Sequence, residues 1–356
     1  MLLKVLIVHS DLHVLAGNVR AMLMFADVLK YLGVDFLFLY TDIRPEFDYF
    51  WKPEDLKRYH AVKYVDFKPL RVVDVIDRRT GKKVSETTIM GDFQRIPHRY
   101  LVQQIYDYTQ YGGFTHLFTD ELYLMWFYDF VPGVLYVHYP DRPSGPGPKA
   151  KVWVNSKYIQ SLTWDVWKVR SVVINPPLHL DLYKPNRSFH QRDYDVVFFG
   201  QFYKVKGFDL ARMFAEEGLR VAVVGAKVHS YVPKVSKNVD VFPNATVREY
   251  VDILSRSKVY VHARPGEHFG ITITEAMASG CPAIVHRSGG QWTDVVDQGR
   301  YGLGWSSTEE LKSKVLKLVK DESLWFKYHR LSIDGVKRFE FKTIAGRIKN
   351  LLNTYI

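Results

Sequence analysis

Arg264-Pro265-Gly266-Glu267-His268-Phe269-Gly270-Ile271-Thr272-Ile273-Thr274-Glu275-Ala276-Met277-Ala278-Ser279-Gly280-Cys281-Pro282 is the stretch from which the rest of the 356-residue chain is read. A strand-like run, Val259-Tyr260-Val261-His262, leads into it, and Ala283-Ile284-Val285-His286 leads out. Between them Ile271 to Ala278 reads as a helix. Apolar Ile271, Ala276 and Ala278 interleave with polar residues, and Ser279-Gly280 then Pro282 stop it. Gly266 and Gly270 bracket the helix start, leaving backbone N–H groups near Phe269, Gly270 and Ile271 to face a ligand. Such a start favours an anion through its orphan donors and its dipole.

Glu267 stands before the helix start and Glu275 about one turn past it, with seven residues between them. Carboxylates touching a bound diphosphate would repel it. Their reach is therefore toward the neutral hydroxyls on either side, a ribose one way and a hexose the other. This Glu-x7-Glu spacing, with His-Phe-Gly inside it and Glu-Ala-Met-Ala-Ser-Gly-Cys-Pro following, resembles the retaining glycosyltransferases of family 4, which have the GT-B fold. An ordinary βαβ unit with solvated glutamates is the alternative reading.

The totals set outer bounds. A chain of 356 residues suits two domains, each with its own core. Apolar content is 47%, and no run approaches 18 uninterrupted apolar residues, so no membrane span is expected. Met1-Leu2-Leu3-Lys4 runs straight into a strand pattern, without the layout of a secretory leader. The single cysteine, Cys281, excludes an intrachain disulfide and a cysteine metal cluster, and the expected compartment is cytosolic. Net charge is +11, and Lys312 to Lys349 carries eleven Lys/Arg against four Asp/Glu. Such a surface suits an anionic membrane face, nucleic acid or solubility alone. The 15% aromatic content favours the membrane face, with Phe47-Asp48-Tyr49-Phe50-Trp51-Lys52 as one contact.

In chain order, Leu3 to Ser10 is a strand of the buried parallel kind. A helix from about Val19 to Leu32 and a strand from Val34 to Tyr40 follow. No Gly-x-Gly-x-x-Gly is present there, which argues against a dinucleotide oxidoreductase. His9-x-Asp11-x-His13 has metal-like spacing, but strand-end polar residues are the simpler reading. Val72 to Asp77 and Val84 to Ile89, around Thr80-Gly81, predict a β-hairpin with a basic tip. A helix is expected from Pro97 to Tyr111. Gly133 to Val137 is a strand delivering His138-Tyr139-Pro140-Asp141 at its C-terminal end, where open α/β sheets gather ligands. Ser144 to Pro148 is expected to be a mobile loop. Asp193-x-Asp195 precedes a strand instead of ending one and reads as structural.

Val137-His138-Tyr139-Pro140-Asp141 and Val8-His9-Ser10-Asp11-Leu12 resemble segments of the mannosyltransferases that extend the asparagine-linked glycan precursor. The resemblance implies an α/β GT-B fold, two Rossmann-like domains with parallel sheets facing a central cleft. Residues 1–178 would form the acceptor domain, 179–338 the donor domain, and 339–356 a terminal helix crossing back. The implied reaction moves a hexose, mannose favoured, from a nucleotide-diphosphate sugar to a glycan or lipid-linked acceptor. GDP-mannose is the leading donor; neither metal nor cofactor is expected, and nucleic acid is not an expected partner. Glu267 would hold the hexose hydroxyls and Glu275 the ribose, while His138 contacts the hexose and its reacting face. His268, Phe269, Gly270 and Ile271 would bind the donor, and Gly17 keeps one glycine of the family's usual pair. Lys206 would clamp the diphosphate. Gln201 stands where an arginine is usual, which removes the charge-assisted bidentate bond. The rival readings are a soluble glucosyltransferase or sugar-nucleotide epimerase of the same fold, and a polyanion-binding protein with a decayed cleft.

Overall fold

Near-continuous apolar runs build two separate sheets. The computed structural model describes residues 3–9, 17–42, 69–76, 83–90, 93–97, 101–142, 144–183, 185–200, 209–225, 237–243 and 245–354. Its first strand, β1 (Lys4–His9), is buried from Val5 onward, the pattern of a parallel strand covered on both faces. It pairs in parallel with β2 (Asp35–Asp42) on one side and β6 (His116–Thr119) on the other. Outward from β6 lie β7 (Gly133–Val137), β8 (Ala150–Val154) and β9 (Ser171–Val173), all parallel. Outward from β2 lies β5 (Phe93–Pro97), also parallel, a strand that the sequence pattern leaves unassigned. The expected hairpin is there as the antiparallel pair β3 (Pro69–Ile76) and β4 (Lys83–Met90), and β4 joins β5 to the edge of the sheet. The helix expected over 97–111 is described over Leu101–Gln110, with Pro97 ending β5 instead.

The second sheet is parallel throughout. Its strands are β10 (Tyr194–Phe199), β11 (Val221–Gly225), β12 (Val239–Pro243), β13 (Ser257–His262), β14 (Ala283–His286) and β15 (Leu303–Trp305). Their spatial order is β12-β11-β10-β13-β14-β15, the doubly wound order in which direction reverses between the first strand and the fourth. Ligands in such sheets bind beyond the strand C-termini at that reversal, here between β10 and β13. The first sheet has its reversal between β1 and β6.

The chain divides into two compact units. One holds residues 1–155, 159–177 and 345–356; the other holds 156–158 and 178–344. The last helix, Phe341–Leu352, begins in the second unit and ends in the first, where Ile348 and Leu352 line an apolar cavity with Leu3, Phe25 and Trp153. No helix among the described residues is long and apolar enough to cross a membrane.

Two packing details position the helix Ile271–Ala278. Seven of its eight residues are buried, and each large side chain so placed contributes about 1.5–3 kcal/mol. At its other end the Arg192 guanidinium, 2% exposed, donates to Ser279 O at 3.0 Å and to Ser257 O at 2.7 Å. It also lies over the Trp325 ring. Burial pulls the Arg192 pKa down to about 10, yet the cation meets carbonyls that the helix end leaves without partners.

One expectation fails. The loop around Gly145 and Gly147 is packed: a Cβ at Gly145 would lie 3.1 Å from Trp167, and one at Gly147 would be 2.6 Å from the Asp129 nitrogen. Glycine there admits close approach of backbone to the Leu122–Asp129 turn and to the helix Lys157–Trp167.

Candidate active site

The start of the 271–278 helix is built by glycine. Gly270, its N-cap, has φ 95°, and Gly266 has φ 66°, conformations that side chains resist. The loop carrying Glu267 and His268 is then fixed from three directions. Gly290 N donates to Glu267 O at 2.8 Å, Gly266 N to Ser288 Oγ at 2.8 Å, and Ser156 Oγ to His268 O at 2.6 Å. A Cβ on Gly290 would run into the His268 carbonyl oxygen, which explains the Ser288-Gly289-Gly290 sequence facing the loop. Phe269 is buried, its ring edge-on to Phe339 at 5.2 Å, so what Phe269 can offer a ligand is its backbone. The first N–H groups of the helix have no carbonyl a turn behind them.

The two glutamates sit in different surroundings. Glu267 is partly buried; His262 Nε2 lies 3.3 Å from its Oε2, and Arg264 Nη1 lies 3.9 Å away. Glu275 is 1% exposed. Tyr183 donates to its Oε1 at 2.7 Å and Tyr250 to its Oε2 at 3.1 Å. Tyr250 in turn stacks on Phe199 at the C-terminal end of β10, with ring centroids 4.1 Å apart. Neither tyrosine is marked in the sequence by any motif. The one available signal is the need of a helical glutamate among apolar residues for buried donors.

The first unit gathers a separate cluster. His9, Asp120 and His138 end the adjacent strands β1, β6 and β7. Asp120 lies between the histidines, with His9 Nδ1 2.7 Å from Oδ1 and His138 Nε2 3.2 Å from Oδ2. Burial pushes the Asp120 carboxyl up, but His9 and His138 outweigh it and hold the group well below the usual carboxylate range. The metal-like motif starting at His9 thus resolves differently: His9 turns to Asp120, while Asp11 and His13 lie outside the described residues. His9, Asp120 and Glu121 bring ligand atoms within 4.8 Å of one another, a set with the chemistry to hold a divalent cation. Gly17 is exposed at the start of the helix Gly17–Tyr31.

Gln201 and Lys206 lie outside the described residues, as does the aromatic cluster Phe47 to Lys52. Asp193 binds Arg256 and Arg220, and Asp195 binds Lys258 at 2.9 Å. Both are ion-pair partners at the head of β10, in keeping with the structural reading.

Residues 182–337 match the family model described as glycosyl transferases group 1. The chain is 29% identical over 175 residues to a Xenopus laevis GDP-Man:Man(3)GlcNAc(2)-PP-Dol alpha-1,2-mannosyltransferase, covering 41% of this chain and 35% of that protein. It is 42% identical over 72 residues to a probable sucrose-phosphate synthase of Thermosipho melanesiensis, covering 20% and 15%. The chain thus aligns with about a third or less of the length of these curated relatives. Among solved structures it is similar to Anabaena HepE in complex with UDP and glucose, at 15% identity and TM-score 0.73, over 99% of this chain and 100% of that one. That likeness is one of fold. Residues 182–337 thus match the group 1 glycosyl transferases, and along its whole length the chain shares the α/β GT-B fold of that structure.

Proposed function

We propose that the protein transfers a hexose from a nucleotide-diphosphate sugar to a glycan or lipid-linked acceptor, with retention at the anomeric carbon. One observation carries the reading: a glycine-shaped helix start with Glu267 before it and Glu275 one turn inside it, all in the second unit. The diphosphate takes the helix start, where N–H groups and dipole favour an anion. Glu267 takes the hexose hydroxyls, and Glu275, oriented by Tyr183 and Tyr250, takes the ribose. Lys206 supplies the cation for the diphosphate, and Gln201 adds an amide without charge.

No side chain is assigned as nucleophile. The anomeric C–O bond to the diphosphate breaks, the acceptor oxygen bonds to that carbon on the same face, and its proton passes to the leaving phosphate oxygen. The helix start stabilises the charge that develops there. Within the first unit His138, its Nε2 3.2 Å from Asp120 Oδ2, is the histidine assigned to the reaction.

Mannose is favoured because the Xenopus relative is named for GDP-Man. Glucose is the second reading, from the sucrose-phosphate synthase match and the HepE complex. A thermal-shift panel of GDP, UDP and ADP sugars, followed by detection of released nucleotide diphosphate, tests the assignment. Stabilisation by at least one sugar nucleotide, unchanged by excess chelator, is expected. No response to any of them contradicts it.

The net charge supports attachment to an anionic membrane surface from the cytosolic side, at about 1 kcal/mol per well-placed cation. Part of the basic run is committed elsewhere, since Lys312 pairs with Glu217, Lys314 with Glu310 and Lys337 with Asp334. Flotation with anionic and neutral vesicles at two salt concentrations decides between this and a soluble acceptor.

A further inference from the structure

The first unit carries an exposed aromatic edge that the proposed reaction leaves unused. Among the described residues the second unit exposes one large apolar side chain, Phe326, and the first unit exposes ten. Three of the ten stand where the chain is about to enter a strand. Tyr111, 77% exposed, comes just ahead of β6, and Phe130, 65% exposed, just ahead of β7. Trp164, also exposed, lies in the last turn of the helix Lys157–Trp167, which leads into β9. Exposed rings gathered in this way mark a contact surface.

The sheet sets these positions along one rim. Thr115 N donates to Lys4 O at 2.9 Å, Leu117 N to Pro132 O at 3.0 Å and Gly133 N to Lys149 O at 3.3 Å, so the starts of β1, β6, β7 and β8 are neighbours. With β9 beyond β8, the rim runs roughly 19 Å at ~4.8 Å per strand. Cations are set among the rings. Lys149 Nζ donates to the Phe130 carbonyl at 2.9 Å, and Lys168 Nζ lies 6.0 Å from the Trp164 ring centroid. Lys4, Lys151 and Arg170 share the rim with the acids Asp107, Asp129 and Asp165, which leaves it net positive.

The mixture selects the occupant. The buried centre of a protein–protein interface is depleted of lysine and other charged residues. At a bilayer interface, in contrast, Trp and Tyr rings sit at headgroup level and cations gain from anionic lipid. We propose that this rim is the surface on which the protein rests at an anionic membrane, with Tyr111, Phe130 and Trp164 entering the headgroup layer and Lys149, Lys168 and Arg170 meeting lipid phosphates. The contact presupposes the membrane attachment proposed above and lies in the first unit instead of on the basic helices of the second. His9, Asp120 and His138 stand at the other ends of β1, β6 and β7, roughly 15–20 Å off at ~3.3 Å per residue. Attachment leaves that end uncovered, and an acceptor anchored in the same bilayer must reach across that length.

Labels at two sites read the contact. Cys281 is buried, so a cysteine introduced elsewhere carries the dye alone. A polarity-sensitive dye attached through Asp165→Cys, next to Trp164, should shift to the blue on vesicles of phosphatidylglycerol with phosphatidylcholine, and far less on phosphatidylcholine alone. The same dye attached through Phe326→Cys, in the second unit, should shift on neither. In flotation, Tyr111→Ser with Phe130→Ser, and separately Lys149→Glu with Lys168→Glu, should each weaken binding to the anionic vesicles at least tenfold. Both pairs replace exposed side chains, and calorimetric affinity for a nucleotide sugar should stay within twofold of wild type. A Phe326→Cys signal as large as the Asp165→Cys one, or flotation unmoved by either pair, overturns the rim and leaves membrane attachment standing. Wild type that floats with neither vesicle overturns attachment and rim together, whereas a wild type that binds no nucleotide sugar counts against the transfer reaction alone.

Discussion

The Tyr183 hydroxyl lies 2.7 Å from Glu275 Oε1, so a side chain ninety-two residues upstream holds the carboxylate inside the 271–278 helix. Tyr250 holds the other oxygen at 3.1 Å. A carboxylate this buried is tolerable only with such donors. Tyr183→Phe should therefore lower the stability of the protein by about 1.5–3 kcal/mol, the range for a hydrogen bond to a charged group. Denaturant unfolding measures it. A change below about 0.5 kcal/mol would mean that the tyrosine does not carry the carboxylate.

Gly290 faces the Glu267 loop at its closest. With the His268 carbonyl in the path of a Cβ, Gly290→Ala should displace the loop. Sugar-nucleotide affinity is expected to fall at least tenfold, with a modest loss of melting temperature. A variant that binds as wild type would show that the loop yields at no cost.

Asp120 holds two histidines at once in the first unit. Asp120→Asn removes the charge that His9 and His138 face and keeps the shape. Turnover is expected to drop at least tenfold while nucleotide-diphosphate affinity, which the proposed function assigns to the second unit, stays within twofold. Equal losses in both would point to general damage.

How much of this was open to reading from sequence depends on the range of the interaction. The helix Ile271–Ala278 and the strand Ala283–His286 lie where the pattern places them, because Gly270, Ser279-Gly280 and Pro282 act within a few residues. The hairpin β3–β4 was legible for the same reason, its alternation being local. Strand β5 was not: five residues between the hairpin and a helix carry too little periodicity. The partners in the candidate site escape for a different reason. Asp120 meets His9 across 111 residues, and Tyr183 meets Glu275 across 92. A lone aspartate after a strand, or a tyrosine in a connecting segment, announces nothing until the sheet order brings it home. Gly145 to Pro148 misled because glycine and proline suggest freedom, whereas here they permit close packing.

Glu310 provides a check on surface electrostatics. Hydrogen bonds from Lys314 and then Arg287 lower its pKa to about 2. A folded pKa below the unfolded value means stabilisation that is present above the unfolded value and lost as pH falls through the folded one. Wild type should exceed Glu310→Gln in stability at pH 7, by an amount that shrinks between about pH 4.5 and pH 2. A difference independent of pH would assign the effect to packing.

Cys281 is fully buried, and burial pushes its thiol up to about 12. The thiolate is the reactive form. The native protein should leave a thiol reagent unconsumed at pH 8 and titrate one equivalent once unfolded. Rapid labelling of the native protein would show that the 271–278 region opens.

The central claim is that the start of the 271–278 helix, with its two glutamates, is a nucleotide-sugar site. Calorimetric titration of wild type, Glu275→Gln and Glu267→Gln with a nucleotide diphosphate and its sugar tests it most directly. Glu275→Gln should weaken the bare nucleotide at least tenfold. Glu267→Gln should leave the nucleotide within twofold and lose the gain contributed by the sugar. Nucleotide affinity unchanged in Glu275→Gln would contradict the account.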